Sequence, residues 1–174
     1  MGAALIVAPN LPGLPMLEKP TARVGARAVI LHQGKVLLLR AEEPGRTYYF
    51  LPGGHVKHGE RAQEAAVREV REETGLEVAV ERALGVREFI AARHARRPRN
   101  MPAGHHVLAV IFLCRLTGDA QGRFQGDAGA TSVSGMEWID LAGIGSLELH
   151  PPHVKTLLQS GLDDPGFKFW PEEN

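Results

Sequence analysis

Glu69, Glu72 and Glu73 stand three and four residues apart just ahead of Gly75, at the end of a stretch whose spacing predicts a helix. Ala62, Ala66, Val67 and Val70 repeat there at helical spacing. The helix is predicted to start near Glu60 or Arg61, after the Gly59 turn, and Gly75 is its natural stop. Like charges at that spacing destabilise a helix by about 0.2–0.5 kcal/mol per pair. The negative end of the helix dipole adds to the cost in the last turn. A chain that accepts both penalties is expected to hold a divalent cation there. The competing reading is a solvated face on which Glu64, Arg68 and Glu72 form a ladder of i,i+4 pairs. Because the apolar stripe is mostly alanine, the helix can approach a sheet closely, which would set the acids at the rim of a cleft.

Around this helix the chain alternates β-prone runs and turns. Ala26 to Leu31 and Lys35 to Leu39 predict a hairpin through His32-Gln33-Gly34. Ala41 to Tyr48 reads as a polar loop, followed by a short strand at Tyr49-Phe50-Leu51. Leu76 to Val80, Ala83 to Ala92 and His106 to Leu116 suggest further strands, with Trp138-Ile139 in another and a helix near Val154 to Gln159. Strands mixed with a long and a late helix imply a sheet covered on two sides. No internal repeat or second-domain boundary is visible.

At 174 residues the chain is expected to form one domain with a sizeable core. Twenty basic residues balance twenty acidic ones, so no global charge draws it to nucleic acid or membrane. No apolar run reaches the eighteen or so residues of a membrane span. The lone cysteine, Cys114, excludes an intrachain disulfide and fits a reducing cytoplasm. Its apolar neighbours Val110 to Leu113 favour core packing over a nucleophilic role. Apolar Ala3 to Ala8, with no positive residue before it, reads as a tail or an added edge strand. Pro9, Pro12, Pro15 and Pro20 then mark a linker.

Clustered hard oxygens suit magnesium or manganese, and magnesium commonly bridges carboxylates to substrate phosphates. A phosphate compound is therefore the expected ligand. No Gly-x-x-x-x-Gly-Lys-Ser/Thr element is present, so the chemistry is not that of a P-loop. Ala91 to Asn100 holds Arg93, His94, Arg96, Arg97 and Arg99, which reads either as a phosphate grip or as a charged surface loop. It lacks the interleaved aromatics of a nucleic-acid surface. His55 and His58 lie in the loop before the helix, and His105-His106 precede an apolar strand; none shows zinc-site spacing. Tyr48 and Tyr49 are the only tyrosines, and either could stack on a base or pack internally.

The run Gly54-x5-Glu60-x7-Arg68-Glu69-x2-Glu72-Glu73-x-Gly75-Leu76 resembles the signature of the Nudix hydrolases at every fixed position. The resemblance implies an α/β fold, the Nudix-type α/β/α sandwich with a mixed β-sheet. It places an N-terminal extension at 1–20, the Nudix domain at 21–165 and a C-terminal tail at 166–174. It makes Glu69, Glu72 and Glu73 the metal ligands, with the Gly53 carbonyl as a further one. Glu69 is also the first candidate for general base, with Asp127 in the Gly-rich stretch 117 to 135 as the alternative. Arg68 and Glu60 read as residues that orient the carboxylates, and Arg93, Arg96 and Arg97 as phosphate contacts.

The implied activity is magnesium-dependent hydrolysis of a pyrophosphate bond in a nucleoside diphosphate linked to another moiety, such as a nucleotide sugar or nucleoside triphosphate. The alternative is a nucleotide-sensing module of the same fold without turnover. Isopentenyl diphosphate isomerases share the fold, but their histidine and cysteine ligands are not recreated here. Neither the proline of many ADP-ribose hydrolases nor the tyrosine of dinucleoside polyphosphate hydrolases occurs in the window Ala91 to His94. The expected partner is a small-molecule nucleotide, and a homodimer is compatible with the sequence.

Overall fold

The computed structural model describes residues 21–93, 104–126, 133–160, 162 and 166–170. Eight strands and two helices are formed among them: β1 (Arg23–His32), β2 (Lys35–Glu43), β3 (Arg46–Phe50), α1 (Ala62–Thr74), β4 (Val78–Ile90), β5 (His106–Leu116), β6 (Val133–Asp140), β7 (Leu149–His150), α2 (Pro152–Gln159) and β8 (Lys168–Trp170). The sheet runs β7-β3-β2-β1-β5-β4-β8, with β6 paired to β2. It is mixed: β1 runs parallel to β5, whereas β2 is antiparallel to β1, β3 and β6.

Two apolar layers sandwich this sheet. On one face Ala26, Ala28 and Ile30 of β1 and Phe112 and Cys114 of β5 meet Ala65, Ala66 and Val70 of α1. On the other, Val29, Leu38 and Ile111 meet Val154, Leu157 and Leu158 of α2. Strand alternation produces the division, because successive side chains point to opposite faces. The small residues of β1 and α1 let the helix sit close to the sheet, as its alanine stripe predicts. Burying Val70 contributes about 1.5–3 kcal/mol.

Several boundaries differ from the sequence reading. The expected loop from Ala41 to Tyr48 is a continued hairpin, in which Glu42 faces Thr47 and Glu43 faces Arg46 across a turn at Pro44-Gly45. Polar residues sit comfortably in its strands because the hairpin projects into solvent. Leu76 to Val80 and Ala83 to Ala92 merge into one strand, β4, whose register shifts at Val80/Arg82 and Ala83/Gly85 absorb the intervening polar residues. Residues 168–170, within the predicted tail, pair with β4 as β8. Cys114 is buried and its thiol is pushed up to about 12, by burial first and then by Glu81. That removes it as a nucleophile. No helix among the described residues is long and apolar enough to cross a membrane.

Candidate active site

After β3 the chain does not turn away but runs along the N-terminal half of β1. Ala28 donates to the Pro52 carbonyl, Ala26 to that of Gly54, and Val56 to that of Val24, all at 2.9 Å. This edge pairing fixes the loop that leads to α1. Gly53 has φ 137, and a Cβ there would overlap the Ala26 carbonyl oxygen and lie 2.9 Å from the Arg27 Cα. Only glycine meets both demands. At Gly54 an added Cβ would occupy the position of the Glu69 carboxyl, so the missing side chain makes room for a functional one.

The helix is terminated at both ends by its own residues. At its start the Arg61 amide donates to Glu64 Oε2 at 2.9 Å. At its end Gly75 takes the left-handed conformation, φ 69, and its amide reaches the Arg71 carbonyl at 2.9 Å. Thr74, fully buried, donates to the Val70 carbonyl and accepts from the Leu76 amide at 3.2 Å. The loop after β5 closes over this end, with the Gln125 amide donating to the Glu73 carbonyl at 2.9 Å.

Arg68 organises the acids. Its Nε and Nη2 donate to the two oxygens of Glu60 at 2.7 and 2.9 Å. Nη1 donates to Glu69 at 2.7 Å and to Glu72 at 3.0 Å, and Nη2 also reaches the His55 carbonyl at 3.0 Å. The fork thus makes five hydrogen bonds, one for each N–H it owns. Glu60 accepts a further bond from the Lys57 amide at 2.9 Å. The Arg68 contacts, followed by that amide, hold its carboxyl at about 2. Reciprocally, Glu60 first and then Glu69 raise the already high pKa of Arg68. Glu73 takes another anchor, accepting from the Gly53 amide at 2.8 Å.

The expected i,i+4 ladder is half formed. Arg68 does reach Glu72, but Glu64 caps the helix start. The side chain of Glu69 is 17% exposed and that of Glu72 53%, so the former lies inside the site and the latter at its rim. Lys57, Arg68, Glu69, Glu72, Glu73 and Gly126 line a recess of about 260 Å³. A larger open groove, about 1050 Å³, runs along the outer side of α1 past Gln63, Val67, Arg71 and Glu77. Arg71 and Glu77 pair there at 3.3 Å, whereas the smaller recess gathers Glu69, Glu72 and Glu73.

Among the described residues, no three His, Cys, Asp or Glu side chains converge into a ready-made cation cage. The three glutamates are instead held about one recess by Arg68 and the Gly53 amide. Their donor chemistry, three carboxylates in a cradle kept open by Gly54, fits a hard divalent cation.

Other candidates fall elsewhere. Arg93 is exposed in a 3-10 turn, Ala91–Arg93, and does not line the recess. Arg96, Arg97, His94, Arg99 and Asp127 lie outside the described residues. Tyr48 meets His150 edge-on at 5.6 Å beneath Arg46, and Tyr49 donates to Glu137 at 3.4 Å. The histidine pair divides across the strand: His105 faces His55 at 5.9 Å, whereas His106 pairs with Glu88 at 2.9 Å. Arg27, close enough to Glu73 and Glu69 to feel both charges, was not singled out by motif. Its signal was a charged residue inside the apolar run Ala26 to Ile30.

A mixed sheet between two helices, with an Arg-anchored glutamate cluster on one of them, defines an α/β/α sandwich with an acidic site on α1. The chain belongs to the Nudix family: the NUDIX domain model matches residues 21–159. An ADP-ribose pyrophosphatase of Methanocaldococcus jannaschii is 36% identical over 55% of this chain and 52% of its own length. A putative 8-oxo-dGTP diphosphatase of Bacillus subtilis is 33% identical over 66% of this chain and 64% of its own. The chain therefore spans between half and two thirds of these relatives. A crystal structure of an ADP-ribose pyrophosphatase from Streptococcus suis shares the fold, with a TM-score of 0.58 and 23% identity over 87% of this chain and 100% of that one.

Proposed function

We propose that this protein hydrolyses a phosphoanhydride bond in a nucleoside diphosphate derivative, with a divalent cation held by Glu69, Glu72 and Glu73. The Gly53 carbonyl is the proposed fourth protein ligand. Magnesium is the expected ion and manganese a substitute, because both prefer oxygen donors. When bound, such an ion neutralises the diphosphate and lowers the pKa of the attacking water. The observation that carries this reading is the five-bonded Arg68 fork, which is anchored by Glu60 and the His55 carbonyl and holds Glu69 and Glu72 at one recess.

Within that arrangement Glu69 has one oxygen anchored by Arg68, while Oε2 has no hydrogen bond among the described residues. That oxygen can accept the proton of water as the water oxygen bonds to phosphorus and the anhydride P–O bond breaks, the departing phosphate taking the electron pair. Asp127 is the alternative base. Arg68 and Glu60 act as positioning residues. Lys57, 3.9 Å from Glu72 at the rim, is the proposed contact for a substrate phosphate. The relatives named for ADP-ribose and 8-oxo-dGTP bracket the substrate class without choosing within it. A reducing compartment such as the cytoplasm agrees with the lone, buried Cys114.

The test is a panel of nucleotide sugars, dinucleotides and nucleoside triphosphates, with magnesium and with product identification. Turnover should require the ion, and Glu72→Gln should cut kcat by about a hundredfold or more while leaving the melting temperature nearly unchanged. Tight nucleotide binding without turnover across the panel would replace this reading with that of a sensing module.

A further inference from the structure

A charge interrupts the buried run of β1. Ala26, Ala28, Val29 and Ile30 are all 0% exposed, yet Arg27 lies among them. Strand alternation puts Arg23, Gly25, Arg27 and Val29 on the sheet face that α2 covers. That cover ends at Arg27. Val29 belongs to the α2-side core, as does Ile111, the β5 partner of Arg27. Arg27 itself is half-buried, and Arg23 beyond it is exposed.

Pairing then brings two imidazoles and a further arginine to the same end of the sheet. Gly25 bridges to His55 in the loop before α1. His55 meets His105, just ahead of β5, at 5.9 Å, and His105 meets Phe89 at 6.1 Å. Arg87 lies over that Phe89 ring at 4.7 Å. Burial, then Arg27 and Arg23, depress the pKa of His55; burial, then Arg23 and Arg27, depress that of His105. Burial also lowers Arg27 itself, against the opposing pull of Glu73 and Glu69. Among the described residues, the Arg27 guanidinium makes a single long hydrogen bond, 3.5 Å to the Ala26 carbonyl, and no ion pair within 4 Å.

A half-buried guanidinium with most of its donors unused, backed by a second arginine and two histidines, costs desolvation that a counter-charge would offset. The glutamates cannot supply that charge while they hold a cation. We propose that Arg27, with Arg23, His55 and His105, receives an anionic group of the substrate outside the glutamate site, and that nucleoside triphosphates are therefore preferred over nucleotide sugars. This narrows the hydrolase reading above and rests on it. In a nucleotide sugar the diphosphate is taken by the cation site, leaving a neutral sugar that offers no charge to these groups. A triphosphate has one more anionic group, and guanidinium matches phosphate oxygens well.

Two measurements test it on the full chain. The first is calorimetric titration of inorganic triphosphate in the presence of a chelator, so that the cation site takes no part. The unaltered protein should bind; Arg27→Met should weaken binding about ten- to hundredfold, Arg27→Lys less, and Arg23→Gln measurably. Arg23 is exposed, so its substitution keeps the test open if Arg27→Met fails to fold. The second is the ratio of kcat/KM for a nucleoside triphosphate to that for a nucleotide sugar, which Arg27→Met should lower about tenfold or more. Absence of triphosphate binding, binding indifferent to all three substitutions, or an unchanged ratio in an active enzyme overturns the anion site. A folded protein with no turnover, whose triphosphate binding still falls on substitution, instead overturns the hydrolase reading and upholds the anion site.

Discussion

Arg68 grips both oxygens of Glu60, Nε to Oε1 at 2.7 Å and Nη2 to Oε2 at 2.9 Å, and so pins the loop ahead of α1 to the helix that carries the other acids. The remaining donors of the same fork go to Glu69, Glu72 and the His55 carbonyl. Arg68→Lys keeps the charge but loses this planar geometry. We expect kcat to fall about ten- to hundredfold, the scale for residues that orient ligands. Substrate KM should change little. Steady-state kinetics alongside a thermal melt will separate this positioning loss from unfolding.

The two loop glycines should fail differently. At Gly53 an added methyl meets backbone at a φ of 137, and neither can yield. Gly53→Ala should cost about 1–3 kcal/mol of stability, read from denaturant unfolding. At Gly54 the obstacle is the Glu69 side chain, which can move if it abandons Arg68. Gly54→Ala should therefore fold with a near-normal melting temperature and lose at least about tenfold in kcat. Equal loss of stability in both variants would contradict this account.

His153 stacks on Trp170 at 4.9 Å, tying α2 to β8. Burial, helped by Arg87, lowers its pKa from 6.5 to about 4. Because the unfolded chain binds the proton more readily, this group's contribution to stability is fully present above pH 6.5 and is lost as pH falls toward 4. Melting temperature should decline across that window, and His153→Phe should flatten the slope there. A slope unchanged by the substitution would dissociate His153 from it.

Divalent cations should stabilise the protein by binding the folded form alone. Adding magnesium at about a hundred times its Kd should contribute about 2.7 kcal/mol, seen as a rise in melting temperature. A chelator should reverse the rise, and Glu72→Gln or Glu73→Gln should reduce it. If these variants respond as the unaltered protein does, the ion binds elsewhere.

Much of this architecture was legible in local pattern. The helical spacing of Ala66 and Val70, the stop at Gly75 and the crowd of Glu69, Glu72 and Glu73 are properties of adjacent residues, and local geometry suffices to read them. Less legible was the hairpin through Glu42 and Glu43, where polar residues resemble a loop until their cross-strand partners are known. The same applies to β8, too short to announce itself without β4 beside it. His105 and His106 look alike in sequence, and only the alternation of β5 sends one to His55 and the other to Glu88.

What the sequence alone determined is the helix, its acidic end and the family signature, since an i,i+3 and i,i+4 pattern is fixed by the helical repeat. The tertiary structure decided which groups meet across the chain: Glu73 with the Gly53 amide, the loop from Pro52 to Val56 with the edge of β1, and His55 with His105 at the end of the sheet. Those contacts depend on strand register and on where the α2 layer stops. Register is settled by the packing of both sheet faces together, so no short window of sequence contains it.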